Sequence, residues 1–157
     1  ICAIPQMILH YHDIKRRLIQ QNKSLVSERK IIQKQIEKFE EDNLNKYIEI
    51  ISENNSENMT LLVSELIYIQ SANNYVEVAY LEGTFMKKKL IRNTLKNMEQ
   101  QIKQYSNFIR CHRTCIVNMH YIEKLNQDYG NYWLQLKVNN DKIPVSRQYL
   151  LKIREAL

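Results

Sequence analysis

Glycine and proline are scarce in this chain of 157 residues, which has two of each. This composition excludes collagen-like and low-complexity sequences, which are rich in both residues. It also excludes glycine-rich phosphate-binding loops, because Gly83 and Gly130 are too few and too far apart to form a GxGxxG or GxxxxGK[ST] motif. No run of 18 apolar residues occurs, so the sequence predicts no complete transmembrane helix within it.

Cysteine is also rare, and the three residues Cys2, Cys111 and Cys115 are an odd number. A disulfide-stabilised scaffold is therefore not expected, and a reducing cytoplasm fits better. If the chain is extended here, Cys111 and Cys115 share one face while His112 points to the other. We expect both cysteines to be small core residues, and we predict no metal site, no cofactor and no enzymatic activity.

Positive charge exceeds negative charge, with 23 Lys and Arg against 17 Asp and Glu. Residues 54–157 carry fourteen basic and nine acidic side chains, whereas residues 1–53 carry nine and eight. The excess therefore lies in the C-terminal part. Such an excess favours a polyanionic partner or an acidic membrane surface, and a nucleic-acid-binding face should be sought in that part.

Residues 13–53 lack glycine and proline and are rich in Gln, Lys and Glu, which predicts one or two long helices over residues 13–51. Apolar residues recur at every seventh position, at Leu18, Leu25, Ile32 and Phe39. The stripe is expected to continue through Leu44, Ile48 and Ile51. A coiled coil also needs apolar residues three or four positions after those at every seventh position, and these positions are mostly polar. The pattern is therefore that of a weak coiled coil. A homodimer through this helix would cover the stripe, and a mobile stalk is the alternative.

The first nine residues, Ile1–Leu9, include seven apolar ones, and Lys15-Arg16-Arg17 follows them. This arrangement resembles the cytoplasmic end of a membrane helix that obeys the positive-inside rule. It predicts attachment to the inner face of the cell membrane through a segment that precedes Ile1. The alternative is an ordinary helix that packs on another domain.

The polar segment Ser52–Asn58 predicts a domain boundary, with a helical stalk over residues 1–53 and a second domain over residues 54–157. Beyond it the hydrophobic period changes to two, which is typical of strands. Glu82-Gly83 predicts a hairpin turn, and a helix is expected to begin at Asn93 or Thr94. The second domain is therefore expected to be α+β, with mostly antiparallel sheets and flanking helices.

Several cations of the second domain lie where strands are expected to end. Lys87 and Lys89 share one face of a predicted strand, where they either contact phosphates or form a solvated edge. Arginine at a loop tip can bond a guanine edge with two hydrogen bonds, and asparagine can do the same to adenine. The residues with this character are Arg110, His112, Arg113 and Arg147. Structural salt bridges are the alternative interpretation for them.

Four blocks of the chain resemble the LytTR DNA-binding domain, in order and at the spacing of that family. They are Leu66–Val76, Arg92–Leu95, Phe108–Asn118 and Pro144–Tyr149. The resemblance covers residues 58–157. It implies an elongated, mostly antiparallel β fold with flanking helices, a role in bacterial transcription control, and double-stranded DNA as the partner.

The resemblance also implies site residues, because loops at the sheet ends are expected to enter successive major grooves. The expected base-reading residues are Asn73, Asn74, Arg113 and Arg147. The expected backbone contacts are His112, Lys87 and Lys89. Ser146 and Asn118 match motif positions, where they either contact DNA or hold loops in place.

The sequence thus predicts a sequence-specific DNA-binding regulator of the bacterial cytoplasm. We expect two copies to pair through the helical stalk, each copy reading one half of a repeated site. A membrane-linked signalling or scaffold module that binds a protein partner is the alternative, since positive charge alone does not distinguish the two.

Overall fold

The structure of the chain is a computed structural model that describes residues 3–157. It divides into two compact units, of which the first ends at Asp42 and the second runs from Asn43 to Leu157. The described residues of the first unit are helical throughout and belong to α1 (Ala3–Leu44), whose side chains are exposed from residue 5 to residue 42. Among the helices formed by residues 3–157, none combines the length and hydrophobicity that crossing a membrane requires.

Helix α1 ends at Leu44, earlier than the sequence predicts, so the expected helix over residues 45–51 is wrong. Residues Tyr47–Ile50 form strand β1, which pairs antiparallel with β2 (Met59–Leu62). The residues Ile48 and Ile50 obey a period of two, and both are fully buried, whereas Ile51 is 38% exposed. Strand pairing therefore buries Ile50, which was not part of the predicted apolar stripe of the helix. The segment Ser52–Asn58 connects β1 to β2 within the second unit.

Five further strands form an antiparallel sheet in the order β5-β4-β3-β7-β6. They are β3 (Leu66–Ala72), β4 (Tyr75–Glu82), β5 (Phe85–Ile91), β6 (Phe108–His112) and β7 (Cys115–Asn118). The hairpin turn predicted at Glu82-Gly83 joins β4 to β5, and Gly83 has the positive φ of 66° that such a turn needs.

A second antiparallel sheet has three strands in the order β10-β9-β8. They are β8 (Ile122–Asp128), β9 (Asn131–Leu136) and β10 (Lys142–Val145), and a 3-10 turn, Met119–Tyr121, precedes β8. The remaining helices are α2 (Leu95–Ile102) and α3 (Arg147–Ala156). Thr94 caps α2 as predicted, since its Oγ1 accepts a hydrogen bond from the Asn97 amide at 3.2 Å. The predicted α+β class with mostly antiparallel sheets is confirmed.

The five-stranded sheet is covered on both faces. On one face, Val76, Val78 and Ile91 pack with α2 through the buried side chains of Leu95 and Met98. On the other face, the apolar side chains pack with the three-stranded sheet and with α3. Members of this second cluster are Ala79, Cys111, Cys115, Val117, Leu134 and Ile153. Cys111 and Cys115 are fully buried, which confirms that they are core residues.

Candidate nucleic-acid interface

Four connections of the second unit lie side by side at one end of its two sheets. The β3–β4 turn lies beside the β6–β7 turn, because the Ser71 amide donates to the Thr114 carbonyl at 2.8 Å. The β10–α3 junction follows, because the Ser146 amide donates to the Cys111 carbonyl at 2.9 Å. The β8–β9 turn is next, since Val145 pairs with Tyr132. We call this row of four connections the turn edge.

Six of the eight predicted site residues lie on the turn edge. Each sits in a turn, at the end of a strand or at the start of α3. They are Asn73, Asn74, His112, Arg113, Ser146 and Arg147. The register of the strands thus brings together residues that are far apart along the chain.

The β6–β7 turn carries Arg113, which is exposed, and the half-buried His112. His112 Nδ1 lies 2.7 Å from Thr114 Oγ1 and accepts a hydrogen bond from the Thr114 amide at 3.3 Å. Burial, followed by the charge of Arg113, lowers the pKa of His112. The imidazole is therefore neutral at pH 7. With Nδ1 as acceptor, Nε2 carries the hydrogen, which makes it a donor for a phosphate oxygen.

Arg110 belongs to the same hairpin, but its guanidinium does not point into solvent with Arg113. Its Nη1 lies 2.6 Å from Glu99 Oε2 on α2, its Nη2 donates to the Arg113 carbonyl at 2.7 Å, and its Nε donates to the His112 carbonyl at 3.3 Å. Of the two readings that the sequence left open for Arg110, the structure shows the salt bridge.

The β10–α3 junction carries Ser146 and Arg147. Ser146 is the N-cap residue of α3, and its hydroxyl makes no capping hydrogen bond. The Arg147 side chain reaches the β8–β9 turn, where a Cβ added to Gly130 would lie 3.9 Å from Arg147 Nη2. In that turn Tyr129 is 99% exposed and has a φ of 46°, a conformation that a tyrosine rarely adopts. The sequence analysis did not single out Tyr129.

The β3–β4 turn consists of Asn73 and Asn74, both exposed, with Asn73 at a φ of 56°. Asparagine tolerates this left-handed conformation better than most residues do. A cleft of about 390 Å³ beside the turn is lined by both asparagines and by Arg92. The sequence placed Arg92 in a family motif but did not identify it as a site residue. Only the pairing of β5 with β4 shows that it lies next to this turn.

Lys87 and Lys89 lie apart from the turn edge, along β5 at the outer edge of the five-stranded sheet. Lys87 pairs in register with Tyr80, towards the β4–β5 turn at the opposite end of the sheet. It also forms an ion pair with Glu82. Lys89 is half-buried. The structure thus does not bring these two residues together with the six others.

Asn118 is fully buried and holds a loop in place. Its Nδ2 donates to the carbonyls of Val63 and Leu66 at 3.1 and 2.8 Å, and its Oδ1 accepts from the His120 amide at 3.1 Å. Because no part of the side chain reaches solvent, Asn118 serves the fold.

The turn edge also carries uncompensated positive charge. Within residues 3–157, the ion pairs involve Lys87, Lys88 and Arg110, and neither Arg113 nor Arg147 takes part in one. The same part of the chain contains no cluster of three His, Cys, Asp or Glu that could hold a metal ion. The chemistry that this edge offers is therefore that of guanidinium, amide and hydroxyl groups, which bind phosphates and base edges.

The family model of the LytTr DNA-binding domain matches residues 56–157. Among curated proteins, an uncharacterized response regulatory protein of Vibrio cholerae is 29% identical over 96 residues, which are 59% of this chain and 36% of the relative. The sensory transduction protein LytT of Bacillus subtilis is 27% identical over 93 residues, with the same two shares. The transcriptional regulatory protein BtsR of Salmonella typhi is 31% identical over 98 residues, 62% of this chain and 38% of the relative.

The chain thus matches less than two fifths of the length of these curated relatives. Among solved structures, a LytTr DNA-binding domain from Bacillus cereus is similar with a TM-score of 0.55 and 21% identity, over 69% of this chain and 95% of that one. This likeness shows the fold, and the family model covers well over half of the chain. The chain belongs to the LytTr DNA-binding domain family (LytTR).

Proposed function

We propose that the second unit binds double-stranded DNA in a sequence-specific manner and thereby regulates transcription in the bacterial cytoplasm. The observation that carries this proposal is the turn edge. It gathers two asparagines and two arginines into one row, and both arginines lack an acidic partner within the described residues. Strand ends that project from a sheet can enter a major groove, which is about 12 Å wide.

The proposed division of work follows from the side chains. Arg113 and Arg147 read guanine edges, and Asn73 or Asn74 reads adenine, because these side chains can make paired hydrogen bonds to those bases. The Ser146 hydroxyl, the free amides at the start of α3 and the Nε2 hydrogen of His112 bind phosphates. Lys87 and Lys89, which lie farther along β5, add electrostatic attraction that does not depend on sequence.

We further propose that two copies pair through α1. The apolar stripe of this helix, at Leu18, Leu25, Ile32 and Phe39, is exposed along a single chain, with exposed fractions between 54% and 63%. Pairing would cover it, and two domains would then read a repeated site. Replacing Leu25 and Ile32 together by lysine should convert a dimer into a monomer in analytical ultracentrifugation. An unchanged sedimentation coefficient would argue against this part of the proposal.

The signal that controls the DNA-binding domain needs a proposal of its own, because the chain matches less than two fifths of each curated relative. Two of these relatives are named as response-regulatory or sensory transduction proteins. We propose that α1 passes a signal from a preceding segment to the DNA-binding domain. The attachment to a membrane that Ile1–Leu9 suggests stays a prediction, and Ile1 and Cys2 lie outside the described residues.

Selection of duplexes from a random DNA pool, at near-physiological salt, tests the proposal. An enriched motif that repeats at a spacing of about one helical turn would support a sequence reader that works as a pair. A single half-site would support the reader and contradict pairing in this chain. Equal recovery of all duplexes would reduce the activity to electrostatic binding and contradict sequence-specific recognition.

A further inference from the structure

The β6–β7 turn, which carries His112 and Arg113, is short, and Arg113 at its tip is exposed. Amides of neighbouring segments hold its two flanks, since Ser146 donates to the Cys111 carbonyl and Ser71 to the Thr114 carbonyl. Strand pairing on either side stops at His112 and Cys115, and the register is irregular between Arg110 and His112. Between these flanks, the position of the tip depends on the groups that bond the carbonyls of His112 and Arg113. Specific base contacts need positions fixed to within a fraction of an ångström, so the support of this turn matters.

Arg110 supplies this support through three of its guanidinium nitrogens. Two of them donate to consecutive carbonyls of the turn, those of His112 at 3.3 Å and Arg113 at 2.7 Å. The third is held at 2.6 Å by the carboxylate of Glu99, which belongs to α2. Since Leu95 and Met98 anchor α2 in the core, the chain of contacts runs from the core through Glu99 and Arg110 to the turn.

The chemistry of these contacts requires arginine. A planar guanidinium can donate in several fixed directions at once, whereas the ammonium group of lysine is a compact charge on a flexible stem. The side chain of Arg110 is only 23% exposed, and its three bonded nitrogens point towards protein acceptors. Its geometry therefore suits a bracing role better than a direct contact with a base.

We propose that Arg110 and Glu99 are positioning residues that fix the β6–β7 turn, so that Arg113 and His112 meet DNA in one defined geometry. This inference rests on the proposed function for its consequence at DNA. Its structural part, the fixing of the turn, does not depend on DNA and can be tested separately.

The first test uses DNA and the variants Arg110→Lys and Glu99→Gln in the full chain. Each should lower the ratio of the affinity for the selected duplex to that for a scrambled duplex by roughly three- to thirtyfold. This decrease is no larger than the one expected when a single base contact is removed. Binding to the scrambled duplex should change little for Arg110→Lys, because the charge is kept. The matched control is Arg154→Lys, whose guanidinium lies over the ring of Tyr132 near the end of α3.

A double-mutant cycle separates bracing from direct contact. If Arg110 acts through Arg113, then Arg110→Lys should cause no further loss of preference in the Arg113→Ala background. Losses that add up in the double variant would mean that Arg110 contacts DNA itself, which would overturn the inference. An increase of the affinity ratio in Glu99→Gln, where Arg110 is released from its carboxylate, would overturn it as well.

The second test measures hydrogen exchange of the Thr114 amide without DNA. This amide donates to His112 Nδ1 inside the turn, so it reports on the order of the turn. Exchange should be faster in Arg110→Lys and Glu99→Gln than in wild type, while the amides of β4 exchange as before. Unchanged exchange at Thr114 would overturn the inference. If wild type showed no preference for any duplex, the proposed function would fail and this measurement would still decide the bracing role.

Discussion

The β4–β5 hairpin and the turn edge both carry positive charge, but they differ in how far acidic side chains compensate it. In the hairpin, Lys87 pairs with Glu82, and Lys88 Nζ lies 3.2 Å from Glu77 and 3.7 Å from Asp141. Interaction with the neighbouring Tyr68, and then with the carboxylate of Glu77, raises the pKa of Lys88. Much of the charge of this hairpin is therefore compensated within the chain.

On the turn edge, Arg113 and Arg147 take part in none of the ion pairs formed by residues 3–157. Turn residues also adopt unusual backbone conformations there. The β4–β5 turn uses Gly83 at its positive φ, while the turn edge places Asn73 and Tyr129 in that region. The comparison teaches that the count of cations in a segment does not locate a binding surface. We propose that a binding surface is located instead by cations that lack internal partners and lie on connections that leave the sheet.

The substitution Arg147→Ala should have the largest effect. Loss of a paired contact to a guanine is expected to cost about 1–3 kcal/mol on the selected duplex and to relax preference at one position. Competition binding with single-base variants of the duplex measures both quantities. Arg154→Ala, on the same helix, is the matched control. If Arg147→Ala kept both affinity and preference, the turn edge would lose its central residue.

The substitution Tyr129→Asn should separate stability from binding. Asparagine is more tolerant of a φ near 46° than tyrosine, so the free energy of unfolding should rise by up to about 1 kcal/mol. Because the ring of Tyr129 is fully exposed beside Arg147, its loss should weaken DNA binding. Urea unfolding and DNA titration measure the two effects. A variant that was less stable than wild type would show that the ring packs on the protein.

Much of this fold was predictable from sequence because its signals are local. The hairpin at Gly83, the cap at Thr94 and the core cysteines follow from turn chemistry, capping and alternation, and the structure confirms them. The strand at Ile48 and Ile50 was missed because four residues fit both a helical and an extended period. Its pairing with β2, over a separation that no local pattern reveals, decides the matter.

The sequence indicates most of the candidate residues on the turn edge but not their arrangement. The motif blocks locate Arg113 and Arg147, yet only strand register shows that their connections are neighbours. The bracing of the β6–β7 turn by Arg110 needs Glu99 from α2, eleven positions away. The sequence alone does not distinguish an arginine that supports a turn, as proposed for Arg110, from one that contacts a base, as proposed for Arg113.

Substitution of the hairpin lysines should have a smaller effect than substitution of the turn arginines. Lys87→Ala and Lys89→Ala should each weaken binding to all duplexes alike, on the order of twofold, because salt screens the attraction of such charges to phosphates. Titrations at several salt concentrations should show only a slight change of the salt dependence. A loss of base preference in either variant would place the hairpin at the groove and contradict the comparison.

The smallest effect is expected from adding a proton to His112. Its pKa is lowered in the folded chain, by burial and by the charge of Arg113, so below the unfolded value of about 6.5 the unfolded chain binds more protons than the folded one. Stability should therefore fall as the pH drops through the interval between the unfolded and the lowered folded value. Thermal unfolding at pH 7.5 and 5.5 should show a smaller loss in His112→Gln than in wild type, with His120→Gln as control. An equal loss in His112→Gln and wild type would mean that a further positive charge beside Arg113 is tolerated on the turn edge, as in the β4–β5 hairpin.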